Sequence, residues 1–225
     1  MNEADRDIVA LEIARKRMAE ELVDKKIVEH HARHTMQMLH SHIVEPAFST
    51  SCDELLRQVL VMSWGAFETV VNDLVRLLLN LRPNFIRDLS LARPFKDLLT
   101  ARTLLDGLEG AQFDLSKGMG DFISDLVTLD SVEKIQAAAE VLFQSPALDV
   151  GLKNAQLWRV AQQRHLIVHR RSVVDSRYRE RTGDTTEIGM KLTFDSDYVE
   201  KSMAMLISTA SLFYEAACTK LEAFS

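Results

Sequence analysis

Hydrophobic residues recur along most of the chain at steps of three and four, which is the spacing of one face of an α-helix. The pattern is most regular near the C-terminus, where one long helix is predicted with apolar positions at Val199, Met203, Leu206, Ala210, Phe213, Ala217, Leu221 and Phe224. A long N-terminal helix is predicted from about Asp5 to Val44. A central helix is predicted from Ser51 to about Leu81, because Ser51 and Glu54 have the spacing of a capping box.

The remaining pattern predicts shorter elements around these three helices. Residues 82–145 contain short helical stretches separated by proline and glycine, and a helix follows from about Asp149 to His169. Beyond Arg171 the period changes to two, and it predicts one short β-strand or hairpin with apolar positions at Ile188, Met190, Leu192 and Phe194. No repeat or linker interrupts the pattern, so we predict one all-α helical bundle domain over residues 1–225.

Composition agrees with a helical globular protein. The 225 residues include only 8 glycines and 4 prolines, and 47% are hydrophobic, which excludes disordered and fibrous classes. The polar, acidic start shows no signal peptide, and the longest uncharged stretch, residues 202–214, falls short of the roughly 20 apolar residues that span a bilayer. We therefore expect a cytoplasmic protein without a membrane partner, in which Cys52 and Cys218 are reduced packing residues.

Five of the seven histidines crowd into the first predicted helix, at His30, His31, His34, His40 and His42. His30 and His34 are four residues apart, which is a spacing compatible with metal binding. No glutamate lies three residues before any histidine, so the Glu-x-x-His signature of di-iron bundles is missing. We therefore predict no metal site and no cofactor, and we interpret the cluster as a solvated or interface face of a helix.

The net charge of -6 hides a strongly basic segment. Between Arg159 and Arg181 there are seven arginines and two acids, so this segment carries +5 while the rest of the chain carries −11. The planar fork of arginine suits bidentate phosphate recognition. The acidic average excludes a protein that coats nucleic acid, yet it leaves a local phosphate site open. Alternatively, these arginines offset a helix dipole or face an acidic partner subunit.

Two stretches of the sequence resemble the HEPN superfamily, which comprises small helical-bundle proteins of prokaryotic toxin, defence and RNA-processing systems. Arg164-His165-Leu166-Ile167-Val168-His169 is similar to the family's Arg-x4-His motif, with His165 where Asn or Asp is more common. Trp64-Gly65-Ala66-Phe67-Glu68 is similar to the aromatic-Glu pair of the family's central helix. The order of helices also agrees, whereas residues 82–145 match nothing specific and are interpreted as a variable helical insertion.

The resemblance implies a metal-independent endoribonuclease of a toxin or phage-defence type. In this interpretation the RNA 2′-hydroxyl attacks the adjacent phosphate, His169 is the general acid or base, and Arg164 binds the phosphate. The implied partners are RNA, a second copy in a homodimer, and an antitoxin or defence-system protein. The alternative is a non-catalytic HEPN-like dimerisation module that binds a partner protein or a nucleotide.

Further residues receive secondary roles from the same resemblance. RNA-binding positions are His165, Arg170, Arg171 and Arg177. Glu68 is expected to contact Arg164 or another arginine, while Asp175 and Tyr178 either orient His169 or cap the following turn, with the structural role favoured. On a regular helix Arg164 and His169 are roughly 140° apart, so they converge on one phosphate only if the helix ends or bends between them.

Overall fold

The computed structural model describes residues 30, 32–38, 41, 46–110, 112–114 and 118–222. The residue contacts group into two compact units, residues 1–52 and 53–225, and each unit is described on its own. In the first unit residues 32–38 are helical with exposed side chains. Most of the predicted N-terminal helix lies outside the described residues, as do His31, His40 and His42. The single domain over residues 1–225 stays a prediction.

The described part of the chain is mostly helical, which confirms the all-α prediction. The helices are α1 (Pro46–Leu81), α2 (Phe85–Leu91), α3 (Ala101–Gly110), α4 (Met119–Leu126), α5 (Val132–Leu142), α6 (Pro146–Leu152), α7 (Ala155–Arg170), α8 (Ser176–Thr182) and α9 (Ser196–Glu222). No helix in these described ranges is long and apolar enough to cross a membrane.

Helix α1 begins earlier than the sequence predicted. It starts at Pro46, so the capping box predicted at Ser51 lies inside the helix and is wrong. Proline fits the first turn of a helix because its missing N–H is one that the first turn leaves unpaired. Glu54 instead accepts hydrogen bonds from Arg57 Nε at 3.0 Å and Gln58 Nε2 at 2.9 Å, both within the same helix.

The core of residues 53–225 surrounds an aromatic cluster. Trp64 and Phe67 of α1 are buried, with ring centroids 5.5 Å apart. Phe213 of α9 lies 6.3 Å from Phe67 and 5.7 Å from Phe143, which directly follows α5. Residues 82–145 contribute fully to this core, because they supply the buried side chains of Phe85, Leu89, Phe95, Ile123, Ile135 and Leu142.

An antiparallel bridge between Val173 and Lys191 stands where the strand was predicted. Two backbone hydrogen bonds of 2.9 Å flank it, from the Val174 amide to Met190 and from the Leu192 amide to Ser172. Leu192 is buried, but Ile188 and Met190 are 57% and 58% exposed. A half-buried strand needs its alternating side chains on one covered face. Since only the end of this segment packs on the core, the pairing does not extend.

Buried Arg57 fixes this segment to α1. Its Nη1 donates to the Leu192 carbonyl at 3.0 Å, and its Nη2 lies 2.9 Å from Glu54. We expect Arg57→Ala to lower the free energy of unfolding by about 1.5–3 kcal/mol, because it removes a charged hydrogen bond and leaves a buried carbonyl unpaired. Urea unfolding measures this. Gln58→Ala is the matched control at an exposed position bonded to the same glutamate, with an expected change within about 0.5 kcal/mol. Equal losses in both variants would contradict the role of Arg57.

Candidate functional site

Helices α7 and α8 form the framework of the site. The sequence predicted one helix from Asp149 to His169, but the structure divides this stretch into α6 and α7. Asn154 separates them and caps α7, with its Oδ1 accepting from the Gln156 amide at 2.9 Å. Amides at a helix start have no intrahelical partner, so such a cap favours a new helix.

The chain reverses direction after α7 and returns as α8, which the sequence did not predict. Arg171 ends α7 in the left-handed conformation, with φ of 52°. Asp175 then caps α8, accepting from the Tyr178 amide at 2.8 Å, and its Oδ2 lies 3.8 Å from Arg170 Nε. This turn places arginines of two helices beside one another.

A cavity of about 250 Å³, here called the arginine pocket, lies between α7, α8, the start of α5 and α1. Its basic lining residues are Arg164, His165, Arg170, Arg177 and Arg181. Its acidic lining residues are Asp130, Glu133 and Asp175, while buried Trp64 and Tyr178 close its inner side. Four arginines around one cavity favour an anionic ligand that carries several acceptor oxygens.

Arg164 is the member of this pocket whose hydrogen bonding is incomplete. Its side chain is half-buried, and its Nε is buried without a hydrogen-bond partner among the residues that the structure describes. A buried donor without a partner costs about 1–3 kcal/mol, so such atoms are rare in native proteins. Because less than 1 Å² of Nε is accessible to solvent, an acceptor in the pocket reaches it only if the Arg164 side chain moves.

His169 lies outside the arginine pocket. Helix α7 continues through Arg170, so it neither ends nor is interrupted between Arg164 and His169. Within one chain the pocket is therefore lined by Arg164 and not by His169. The structure instead brings Arg164 together with His165, whose ring centroid lies 4.6 Å from that of His169.

The electrostatic surroundings of His165 favour its neutral form. Partial burial lowers the pKa of His165 below its ordinary value of 6.5, and nearby positive charge adds to the effect. The charged neighbours that lower it are, in decreasing order, His169, Arg164, Arg177 and Arg170. At neutral pH the imidazole of His165 is thus able to accept a proton.

The supporting residues hold the framework. Glu68 accepts a hydrogen bond from Trp64 Nε1 at 3.0 Å, and no ion pair within 4.0 Å joins it to Arg164 among the described side chains. Tyr178 is buried, and its hydroxyl donates to Asp184 at 3.2 Å. Burial and the neighbouring Asp184 carboxylate raise the pKa of Tyr178, so it stays protonated. Arg171 is exposed at the end of α7 and does not line the pocket.

The start of α5 is the part of the site that sequence reasoning missed. Ser131 caps this helix, since its side chain accepts a hydrogen bond from the Lys134 amide at 3.3 Å. Asp130 pairs with Lys134 at 2.9 Å. The start of this helix carries partial positive charge and faces the arginines together with Glu133. The sequence did hold one signal for the α8 side of the site. Arg177 and Arg181 are four residues apart, so a helix there places both arginines on one face.

The metal alternative concerns the histidine cluster of the first unit. Within the described ranges, no three side chains of His, Cys, Asp or Glu come together as metal ligands. His30 and His34 lie within these ranges, and the other three histidines of the cluster lie outside them.

No family model, no curated protein and no solved structure matches the chain.

Proposed function

We propose that the chain is a metal-independent endoribonuclease of the HEPN type, acting as a toxin or in phage defence. The observation that carries the proposal is the arginine pocket, in which four arginines and His165 line one cavity. This combination of cations and an imidazole suits a phosphodiester. The resemblance of residues 164–169 to the Arg-x4-His motif supports the same chemistry.

RNA cleavage of this kind needs few protein groups. The 2′-hydroxyl attacks the neighbouring phosphorus, and the bond from phosphorus to the 5′-oxygen breaks. The protein has to move two protons and to stabilise the negative charge on the phosphorane oxygens. Arg164 binds the phosphate in the pocket, and His169, which does not line the pocket of its own chain, acts as a general acid or base in the homodimer.

The other basic residues bind the RNA backbone. His165, Arg170 and Arg177 line the same pocket and contact the phosphate or its neighbour. Arg171 lies outside the pocket and contacts flanking backbone. Three further residues act indirectly through their hydrogen bonds. Glu68 holds Trp64, Asp175 holds the start of α8, and Tyr178 holds Asp184 in the loop that follows α8.

The proposed partners follow from the function and from the surface of α1. An exposed apolar stripe on one face of this helix comprises Leu55, Met62, Val70, Leu77 and Leu81. Exposed apolar stripes mark interaction sites, which supports a homodimer or an antitoxin or defence-system protein bound there. A toxin or defence ribonuclease that cleaves cellular RNA would act in the cytoplasm, which is the location we propose.

The test is incubation of purified protein with end-labelled RNA in excess EDTA. We expect cleavage to continue at the rate measured without EDTA, because no step uses a metal ion. The products are expected to carry 2′,3′-cyclic phosphate and 5′-hydroxyl ends. Absence of cleavage over a wide range of wild-type concentrations, or cleavage that EDTA abolishes, would refute the proposal.

A second candidate is a non-catalytic module that binds a nucleotide. The pocket arginines favour it, because they suit the phosphate of a nucleotide, although the pocket volume of about 250 Å³ lies below the roughly 300–1,000 Å³ typical of small-molecule sites. Calorimetric titration with mononucleotides distinguishes the two functions. Binding that Arg164→Met removes, in a protein that does not cleave RNA, would support the module.

A further inference from the structure

Three carboxylates line the arginine pocket together with its arginines, at Asp130, Glu133 and Asp175. Asp130 pairs with Lys134 at 2.9 Å, and Asp175 lies 3.8 Å from Arg170. Glu133 differs from both, because its exposed side chain makes no ion pair or hydrogen bond within the part of the chain that the structure describes. Glu133 is therefore the pocket carboxylate whose two oxygens are left to accept hydrogen bonds from a ligand.

The backbone that carries Glu133 is fixed at the pocket. Glu133 lies in the first turn of α5, where Ser131 caps the helix and Val132 is buried. The preceding segment is held on α1, since the Leu129 amide donates to Asn72 Oδ1 at 3.1 Å. Asn72 Nδ2 donates to a carbonyl of its own helix at 2.8 Å, which orients the side-chain amide. A group on such a supported element keeps its position and is able to discriminate between ligands.

Glu133 is unfavourable for a ligand that is only an anion. Arg164 and Arg177 attract a phosphate, and neither forms an ion pair among the described residues. A carboxylate on the same lining repels that phosphate, and like charges placed together weaken binding. The lining therefore matches a ligand that joins a phosphate to a group with hydrogen-bond donors, and a nucleotide with its base has this combination.

The bases differ in the donors that they offer to a carboxylate. The Watson–Crick edge of guanine presents two adjacent donors, N1–H and the 2-amino group, which match the two oxygens of a carboxylate. Adenine and cytosine place a ring-nitrogen acceptor beside their amino group, and uracil places one N–H between two carbonyl oxygens. These acceptors repel a carboxylate. Another edge of guanine carries the acceptors O6 and N7, which suit an arginine fork. Guanine is thus the base that fits a lining of one carboxylate and several arginines.

We propose that the arginine pocket is specific for guanine in unpaired RNA and that Glu133 is the residue that determines this specificity. Arg164 and Arg177 bind the phosphate, while the Glu133 carboxylate accepts from N1–H and the 2-amino group of the adjacent guanine. The inference rests on the proposed function, which identifies the bound phosphate as that of RNA. A guanine in a duplex has the same edge engaged in pairing, so the substrate is single-stranded.

Two single-stranded RNA oligonucleotides test the specificity. They contain only adenine and uracil except at one position, which is guanine in the first and adenine in the second. We expect kcat/KM for cleavage beside this position to be about 5–150-fold higher with guanine, the range for one bidentate base contact. Inosine, which lacks the 2-amino group, should give an intermediate value, and annealing to a complementary strand should protect the guanine. Equal kcat/KM for guanine and adenine would overturn the inference and leave the ribonuclease in place.

Glu133→Gln tests the residue. Glutamine keeps the size of the side chain, but its amide NH₂ meets a guanine donor in place of the second oxygen. We expect the ratio of kcat/KM between the two RNAs to fall to about one in this variant. Glu140→Gln is the matched control, since Glu140 is exposed on the same helix outside the arginine pocket, and it should keep the wild-type ratio.

A structural role of Glu133 gives a different result. A negative charge in the first turn of a helix interacts favourably with the helix dipole. If this were the whole role of Glu133, Glu133→Gln would change the cleavage of both RNAs by the same factor. That result would overturn the inference.

Nucleotide binding separates this inference from the proposed function. Calorimetric titration with guanosine 5′-monophosphate and adenosine 5′-monophosphate gives a result that does not depend on cleavage. In a wild-type protein that does not cleave RNA, the ribonuclease is refuted, and tighter binding of the guanosine nucleotide that Glu133→Gln removes would still support the specificity of the pocket. In such a protein, equal binding of the two nucleotides, or binding of neither, would overturn the inference as well.

Discussion

His169→Ala is expected to lower the rate of RNA cleavage by about 10²–10⁴-fold, the usual loss when a general acid or base is removed. The loss should fall on kcat, because Arg164 and the pocket arginines that bind the substrate remain. The side chain is exposed in the last turn of α7, where a positive charge contributes only about 0.3–1 kcal/mol through the helix dipole. Single-turnover cleavage measures the rate, fluorescence anisotropy measures the affinity for RNA, and urea unfolding measures the free energy of unfolding.

The matched control for His169→Ala is Val168→Ala. Val168 is the preceding residue on α7, is 48% exposed and does not line the arginine pocket. Val168→Ala should leave the cleavage rate within about twofold of wild type, because the side chain does not line the pocket. It should also leave the fold intact, since surface substitutions change stability by less than about 0.5 kcal/mol. If His169→Ala cleaved RNA as fast as Val168→Ala, His169 would have no part in proton transfer.

Phe213→Ala is expected to destabilise the protein by about 3–5 kcal/mol, which is the cost of removing a buried aromatic ring. Phe213 is fully buried, at 0% exposure, and lies edge-on to Phe67 of α1 and to Phe143 after α5. Truncation leaves a cavity at the point where three segments meet. Because domains have only about 5–15 kcal/mol of stability, the loss should appear as a large fall in the urea midpoint.

Ile207→Ala is the control for Phe213→Ala on the same helix. Ile207 is 64% exposed, so its truncation removes little buried area and should change stability by less than about 0.5 kcal/mol. A Phe213→Ala midpoint no lower than that of Ile207→Ala would show that the aromatic cluster does not support the fold.

Sequence patterns predicted helices where local signals agreed. The end of α1 at Leu81 and the presence of a long helix α9 both followed from periodicity, because a buried helix face repeats every 3.6 residues. Errors arose where two local signals competed. Pro46 begins α1 ahead of the capping box at Ser51, and Asn154 divides a stretch whose apolar period runs on unbroken.

The same contrast applies to the site. The seven arginines of residues 159–181 located the positive charge correctly within the chain. Their local spacing gave no sign that α8 would return beside α7, since that return depends on the left-handed turn at Arg171 and the cap at Asp175. The sequence also gave no sign that Glu133 lines the same pocket, because it lies about thirty residues away from Arg164 along the chain.

The sequence by itself determined the helical class, the end of α1 at Leu81 and the concentration of arginine in one segment. These are local properties, set by the apolar period, by caps and by residue charge. Only the tertiary structure decided that Arg164 and His165 share a pocket, that His169 lies outside it, and that residues 188–194 form a bridge and not a strand. Those outcomes depend on how α1, α5, α7 and α8 pack together, and packing energies between distant segments leave no periodic trace in the sequence.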